Sequence, residues 1–260
     1  MSDRLTQKIE KAQKLRQKPS FPFSIFNKPD FIESGDLFCE IARESTSTEE
    51  QVKFYVEAAH TFLMKKDEYG EFCASECYRK LFQLLEETDV ENAIQYYTMY
   101  AEILERMAKY LNAGQAYTKI ADILAKIDPK RAASMYSKAV LTYKKDRAAC
   151  TYHLKACLQN FLTVQLDLEN LEGAISILDY LDIKYSKLCK QILTVLVGRT
   201  DFDDVLSPKE NQIIMSLLNK EKEESIKDLE AFRSDNYLPD QISKVFDLAI
   251  ERLNPENDIC

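Results

Sequence analysis

Asp89-Val-Glu-Asn-Ala93-Ile94-Gln95-Tyr96-Tyr97 and Asp128-Pro-Lys-Arg-Ala132-Ala133-Ser134-Met135-Tyr136 share one pattern at an offset of 39 residues. Moving back by the same 39 residues reaches Glu50-Gln-Val-Lys-Phe54-Tyr55-Val56, and moving forward by 42 reaches Asn170-Leu-Glu-Gly-Ala174-Ile175-Ser176-Ile177. Each start places Asp, Glu or Asn in N-cap position and then a small or apolar residue in the first turn. A second amphipathic stretch follows, beginning at Tyr69, Tyr110 and Ala148. Two helices in roughly 40 residues, with small residues at the pair contact, predict a tetratricopeptide-like α-solenoid. The units exceed the strict period of about 34 residues, so the helices are expected to be longer than in that repeat. An irregular helical bundle is the alternative, and four aligned starts weigh against it.

Composition agrees with an all-α fold. Only 5 Gly and 7 Pro occur in 260 residues, and these are the residues helices tolerate least. The expected division is a basic helix and apolar loop over 1–47, repeats over 48–197, a C-terminal helical bundle over 198–253 and a mobile acidic tail over 254–260. The bundle is expected to hold helices at Glu210–Asn219, Ser225–Ser234 and Asp240–Leu253, with Ser225 and Asp228 as a capping-box-like start.

The net charge of −8 argues against a general nucleic-acid binder. It is unevenly placed. Residues 1–18 carry Arg4, Lys8, Lys11, Lys14, Arg16 and Lys18 against Asp3 and Glu10, whereas residues 201–260 hold fifteen acidic against seven basic groups. Different partners at the two ends are expected. No secretory signal is present and the seven cysteines are irregularly spaced, so reduced thiols and a cytoplasmic location are expected. No apolar run reaches about 18 residues, so no membrane span is expected.

Catalytic machinery is not visible. Five scattered glycines make no phosphate loop. Cys150, His153 and Cys157 share a helix face but lack a fourth ligand at metal spacing, and are read as small residues filling helix contacts. Adjacent carboxylates such as Glu86/Glu87, Asp203/Asp204 and Glu223/Glu224 point apart on a helix and form no dyad. No enzyme activity, metal or cofactor is expected.

Three features read as binding elements. Phe21, Phe23, Ile25 and Phe26 lie in a proline-broken stretch, which either folds back as a plug or dips into a bilayer with help from the basic flank. Lys65, Lys66, Lys109, Lys119, Lys144, Lys145, Arg147 and Lys155 recur at similar places in successive repeats, either as solvated charges or as a stripe for an elongated acidic partner. Glu256, Asp258 and Ile259 form an acidic end with an apolar penultimate residue.

These features in this order resemble the soluble NSF attachment proteins of the alpha type. These are adaptors that carry the N-ethylmaleimide-sensitive factor, a hexameric AAA ATPase, onto SNARE bundles. Ser20-Phe-Pro-Phe-Ser-Ile-Phe26 is similar to the family's Ser-Phe-Phe-Ser-Gly-Leu-Phe loop. The segment beginning Phe62-Leu-Met-Lys-Lys66, the starts at Asp89 and Asn170, the helices after Ser225 and the ending Glu256-Asn-Asp-Ile-Cys260 also look alike.

The resemblance implies a membrane loop at Phe21, Phe23, Ile25 and Phe26. It implies SNARE contacts at Lys66, Lys109 and Lys155, with Lys119 substituting for a family lysine that falls on Gln115. It implies docking of the ATPase by Glu256, Asp258 and Ile259. A further family lysine falls on Thr151, so the basic stripe is thinner than usual, and turns are trimmed near Lys126 and over 181–197. The implied protein is a free monomer in the cytoplasm, peripheral on vesicle, Golgi or other endomembranes, serving SNARE disassembly in vesicle fusion and transport. A general tetratricopeptide-type peptide-binding scaffold, such as a chaperone or proteasome adaptor, is the alternative function. A lipid-processing helical enzyme would need a buried polar cluster that the sequence does not show.

Overall fold

A computed structural model describes residues 3–17, 28–200, 205–219 and 222–254. They form thirteen helices, with no strand among the described residues. The fold is all-α and tetratricopeptide-like. Contacts divide the chain into two compact units, meeting between Ile120 and Ala121 inside one helix.

The first unit holds α1 (Asp3–Arg16), α2 (Phe31–Glu44), α3 (Thr48–Leu63), α4 (Glu68–Leu85), α5 (Val90–Arg106) and the start of α6 (Tyr110–Leu124). From α1 to α5, each helix packs on the next in the chain. Alanines make this close approach feasible: Ala42, Ala58, Ala59 and Ala74 are fully buried between Phe38, Phe54, Phe62, Tyr78 and Leu81. Fully burying each of these large side chains contributes about 1.5–3 kcal/mol. The basic face of α1 is turned to carboxylates of its neighbours. Lys8 pairs with Glu44 at 2.7 Å, Lys11 with Glu33 at 2.7 Å and Arg16 with Glu57 at 2.6 Å. Three cations expected to assist a bilayer contact are therefore engaged within the unit.

The second unit continues α6 and adds α7 (Pro129–Lys145), α8 (Arg147–Asp167), α9 (Leu171–Leu178), α10 (Ser186–Leu196), α11 (Pro208–Leu218), α12 (Lys222–Asp235) and α13 (Asp240–Leu253). The chain turns back at its end, and α13 packs on α8 and α10 as well as on α12. Lys244 pairs with Asp167, and Arg252 with Glu169 at 2.9 Å. Phe232 and Phe246 stack with centroids 5.6 Å apart.

Helix starts follow local chemistry. Asp89, Asp128 and Asn170 cap α5, α7 and α9 through the backbone N–H of Asn92, Arg131 and Gly173. Three expectations need correction. Glu50 is not the first unit's cap: Ser47 accepts from the Glu50 N–H at 3.2 Å, and α3 starts at Thr48. Ser225 does not start a helix, because α12 begins at Lys222 and encloses it; the capping box belongs to Ser207 and Glu210, at the start of α11. Long helices persist through the 21 residues of α8, but α9 has only 8.

Candidate functional site

The α4 helix carries a row of aromatic rings, and each ring carries a lysine. Tyr69 and Phe72 lie on its outer surface at 55% and 42% exposure, while Phe82 is buried further along. The Lys65 ammonium stands 4.9 Å from the Tyr69 ring centre, that of Lys109 4.9 Å from Phe72, and that of Lys119 4.3 Å from Phe82. A cation over an aromatic face is attracted by the ring's electron-rich surface and is held in one orientation.

The turns deliver these lysines. Ala108 adopts the left-handed conformation at the end of α5, with φ 56°, and the Lys109 N–H reaches back to the Leu104 carbonyl at 2.9 Å. This closure leaves Lys109 immediately before α6, where its side chain lies along α4. Lys119 then falls on α6 itself. The Phe72–Lys109 and Phe82–Lys119 pairs have the same sequence separation, so the second helices of two successive repeats run past each other in register. Charge along the row is partly balanced. Glu86 accepts from Lys119 at 3.0 Å, Glu71 pairs with Arg106 at 3.0 Å and Glu76 with Arg79 at 2.6 Å. Burial pushes the Tyr97 hydroxyl up to about 12; its ring stacks on Phe82 at 4.1 Å and also faces Lys119.

Lys66 is exposed in the α3–α4 turn, with φ 56°. Its neighbour Lys65, not Lys66, reaches the ring of Tyr69 and the carboxylate of Asp67. Lys155 belongs to the second unit, exposed on α8, with its ammonium 3.0 Å from the Asp182 carbonyl. There too a lysine covers a ring, Lys144 lying 3.9 Å from the centre of Tyr180. Lys109 and Lys119 therefore lie on one surface of the first unit. The aromatic support beneath them escaped sequence reasoning; its one local signal is the exposed pair Tyr69 and Phe72, one helical turn apart. Gln115 and Thr151, where the resemblance places further lysines, are both exposed.

Phe21, Phe23, Ile25 and Phe26, and Glu256, Asp258 and Ile259, lie outside the described residues. Cys150 and Cys157 are fully buried, while His153 stacks against Tyr143 at 6.4 Å. Among the described residues, no group of His, Cys, Asp and Glu is arranged to hold a metal ion, and no helix is long and apolar enough to cross a membrane.

A family model described as soluble NSF attachment protein, SNAP, matches residues 3–196. The chain belongs to the soluble NSF attachment protein family. Its members are non-catalytic helical adaptors between SNARE proteins and the N-ethylmaleimide-sensitive factor. The matched part covers α1 to α10, and so includes every lysine described above; α11 to α13 and residues 254–260 follow it. A search of the curated proteins returned no match.

Proposed function

We propose that this chain binds the assembled SNARE helical bundle through the lysine-bearing surface of its repeats and brings the AAA ATPase to that bundle for disassembly. The observation that carries this reading is the row of lysines on α4 rings, within a chain of this family. Rings that fix ammonium groups reduce the side-chain entropy lost when an acidic partner arrives. An elongated helical bundle suits such a row, because its acidic side chains recur along its length.

On this reading Lys66, Lys109, Lys119 and Lys155 contact the SNARE bundle. Phe21, Phe23, Ile25 and Phe26 insert weakly into the bilayer, which raises the local concentration of the adaptor where SNAREs reside. Glu256, Asp258 and Ile259 dock on basic sites of the ATPase hexamer, which hydrolyses ATP. The free protein is a cytoplasmic monomer that attaches peripherally to vesicle or Golgi membranes. The test is ATP-driven disassembly of a purified SNARE complex with the ATPase, with and without the intact chain. Stimulation supports the reading, and no stimulation overturns it. Ile259→Ala is expected to keep SNARE binding and lose stimulation; loss of both would remove the tail from its assigned role.

A further inference from the structure

Cys39 on α2 and Cys77 on α4 meet beside α3, with their sulfurs 3.5 Å apart. They border a cleft of about 250 Å³ in the first unit, on the opposite side of whose mouth stands Phe72. Access to the two sulfurs is unequal. Cys39 is half-buried, whereas Cys77 is only 3% exposed. An oxidant entering the cleft meets Cys39 first, with Cys77 waiting in contact behind it. We propose that Cys39 and Cys77 form a peroxide-reactive dithiol site, with Cys39 as the attacked sulfur and Cys77 as its resolving partner.

The electrostatics select the same sulfur. A hydrogen bond donated by Cys77, with help from the Arg43 guanidinium one helical turn along α2, holds the Cys39 thiol below its ordinary range against burial and the Asp36 carboxylate. Cys77 is pushed up, chiefly by that same hydrogen bond and then by burial. Cys73, the third thiol of the cleft, is pushed up by burial. Tyr55 from α3 and Glu76 and Lys80 from α4 complete the charged and titratable surroundings. The thiolate is the nucleophile in such reactions, so Cys39 leads.

The chemistry balances with a hydroperoxide as oxidant. The Cys39 thiolate attacks one peroxide oxygen, the O–O bond breaks, and the departing alkoxide or hydroxide takes a proton to leave as alcohol or water. Cys39 is then a sulfenic acid. Cys77 loses its proton, its sulfur bonds to the Cys39 sulfur, and the S–O bond breaks to release water. Two electrons have passed from the two thiols to the peroxide. Closing the contact to a bond of about 2.05 Å needs only a small approach of the two side chains. The product ties α2 to α4 across α3, and a dithiol reductant reverses it.

The experiment uses the full chain with Cys260→Ser, which removes the cysteine outside the described residues. Reduced protein is treated with stoichiometric hydrogen peroxide, blocked with N-ethylmaleimide and mapped by protease digestion and mass spectrometry. The expected result is one disulfide joining the Cys39 and Cys77 peptides, reversed by dithiothreitol. Cys77→Ala should leave Cys39 as a sulfenic acid trapped by dimedone. Arg43→Gln, which keeps every thiol, should slow Cys39 alkylation at neutral pH at least twofold. First oxidation at Cys73, or a Cys39 that reacts no faster than buried Cys150, would overturn the proposal. So would a Cys39 that passes on to sulfinic acid while Cys77 is present.

Discussion

The ammonium of Lys119 lies 4.3 Å from the centre of the Phe82 ring, and Glu86 accepts a hydrogen bond from it at 3.0 Å. Lys109 stands over Phe72 in the same register. Exposed contacts of these kinds stabilise a fold by about 1 kcal/mol or less each. The lysines are therefore arranged more for what they present than for what they hold together.

The first prediction separates these two roles. Lys109→Glu combined with Lys119→Glu should weaken binding to a SNARE bundle tenfold or more, about 1.4 kcal/mol. Wild-type binding should also weaken as salt rises. The thermal midpoint should fall by no more than about 3 °C, given the small contribution of exposed pairs. Fluorescence anisotropy and a melting curve on the same samples check both. Unchanged affinity in the double variant would remove this surface from the binding site.

A second prediction concerns the close approach that shapes the α3–α4 turn. A Cβ on Gly70 would stand 2.4 Å from the Phe62 carbonyl oxygen, which is backbone and cannot swing away. Gly70→Ala should cost about 1–3 kcal/mol by overpacking, seen as a lower urea midpoint with an unchanged slope. Gly198 has φ +80° and open space around it, so Gly198→Ala should act through backbone strain alone. A Gly70→Ala protein as stable as wild type would mean that the two helices separate freely there.

The third follows from Tyr97. Its hydroxyl is pushed up to about 12 by burial, from an ordinary value of 10.0. The unfolded chain releases this proton near pH 10 and the folded chain keeps it. The folded state thus binds more protons in that interval, and stability falls as pH rises from 10 to 12. Tyr97→Phe should remove about 1–2 kcal/mol of that alkaline loss. Urea unfolding at pH 9 and pH 11.5 measures it; equal losses in both proteins would contradict the assignment. Buried Tyr117 and Tyr136 are also raised and should account for the remaining slope.

The fourth compares two serines. The Ser225 hydroxyl is buried inside α12 with no hydrogen-bond partner. Ser225→Ala should be neutral or stabilising, because a group that gains no bond on burial is a burden to the fold. The Ser207 hydroxyl accepts from the Glu210 N–H at 3.4 Å, while Glu210 accepts from the Ser207 N–H at 2.8 Å. Ser207→Ala should cost about 1 kcal/mol. Chemical denaturation of the two variants distinguishes these signs, and a destabilised Ser225→Ala would contradict this account.

The same two serines mark where sequence reading succeeds. Asp89, Asp128 and Asn170 are legible as caps because a cap depends on a few adjacent residues. The repeat of these caps is enough to indicate paired helices. Ser225 misleads because its spacing to Asp228 imitates a start while the actual start, Lys222, depends on how α12 packs. Glu50 misleads in a milder way, standing three residues inside a helix that Ser47 caps. The lysines were legible as recurring charges. Their support was not: Phe72 and Phe82 meet Lys109 and Lys119 only after two successive repeats have stacked. Nor does sequence spacing show that Lys8, Lys11 and Arg16 are matched by Glu44, Glu33 and Glu57.

The adaptor role itself is tested most directly by the rate at which the ATPase takes apart a fluorescently labelled SNARE complex. The rate is measured with the intact chain, with a chain lacking residues 254–260, and with neither. The account predicts ATP-dependent disassembly with the intact chain only, although both forms of the chain bind the SNARE complex. Disassembly at the same rate in all three reactions, or in none of them, would contradict it.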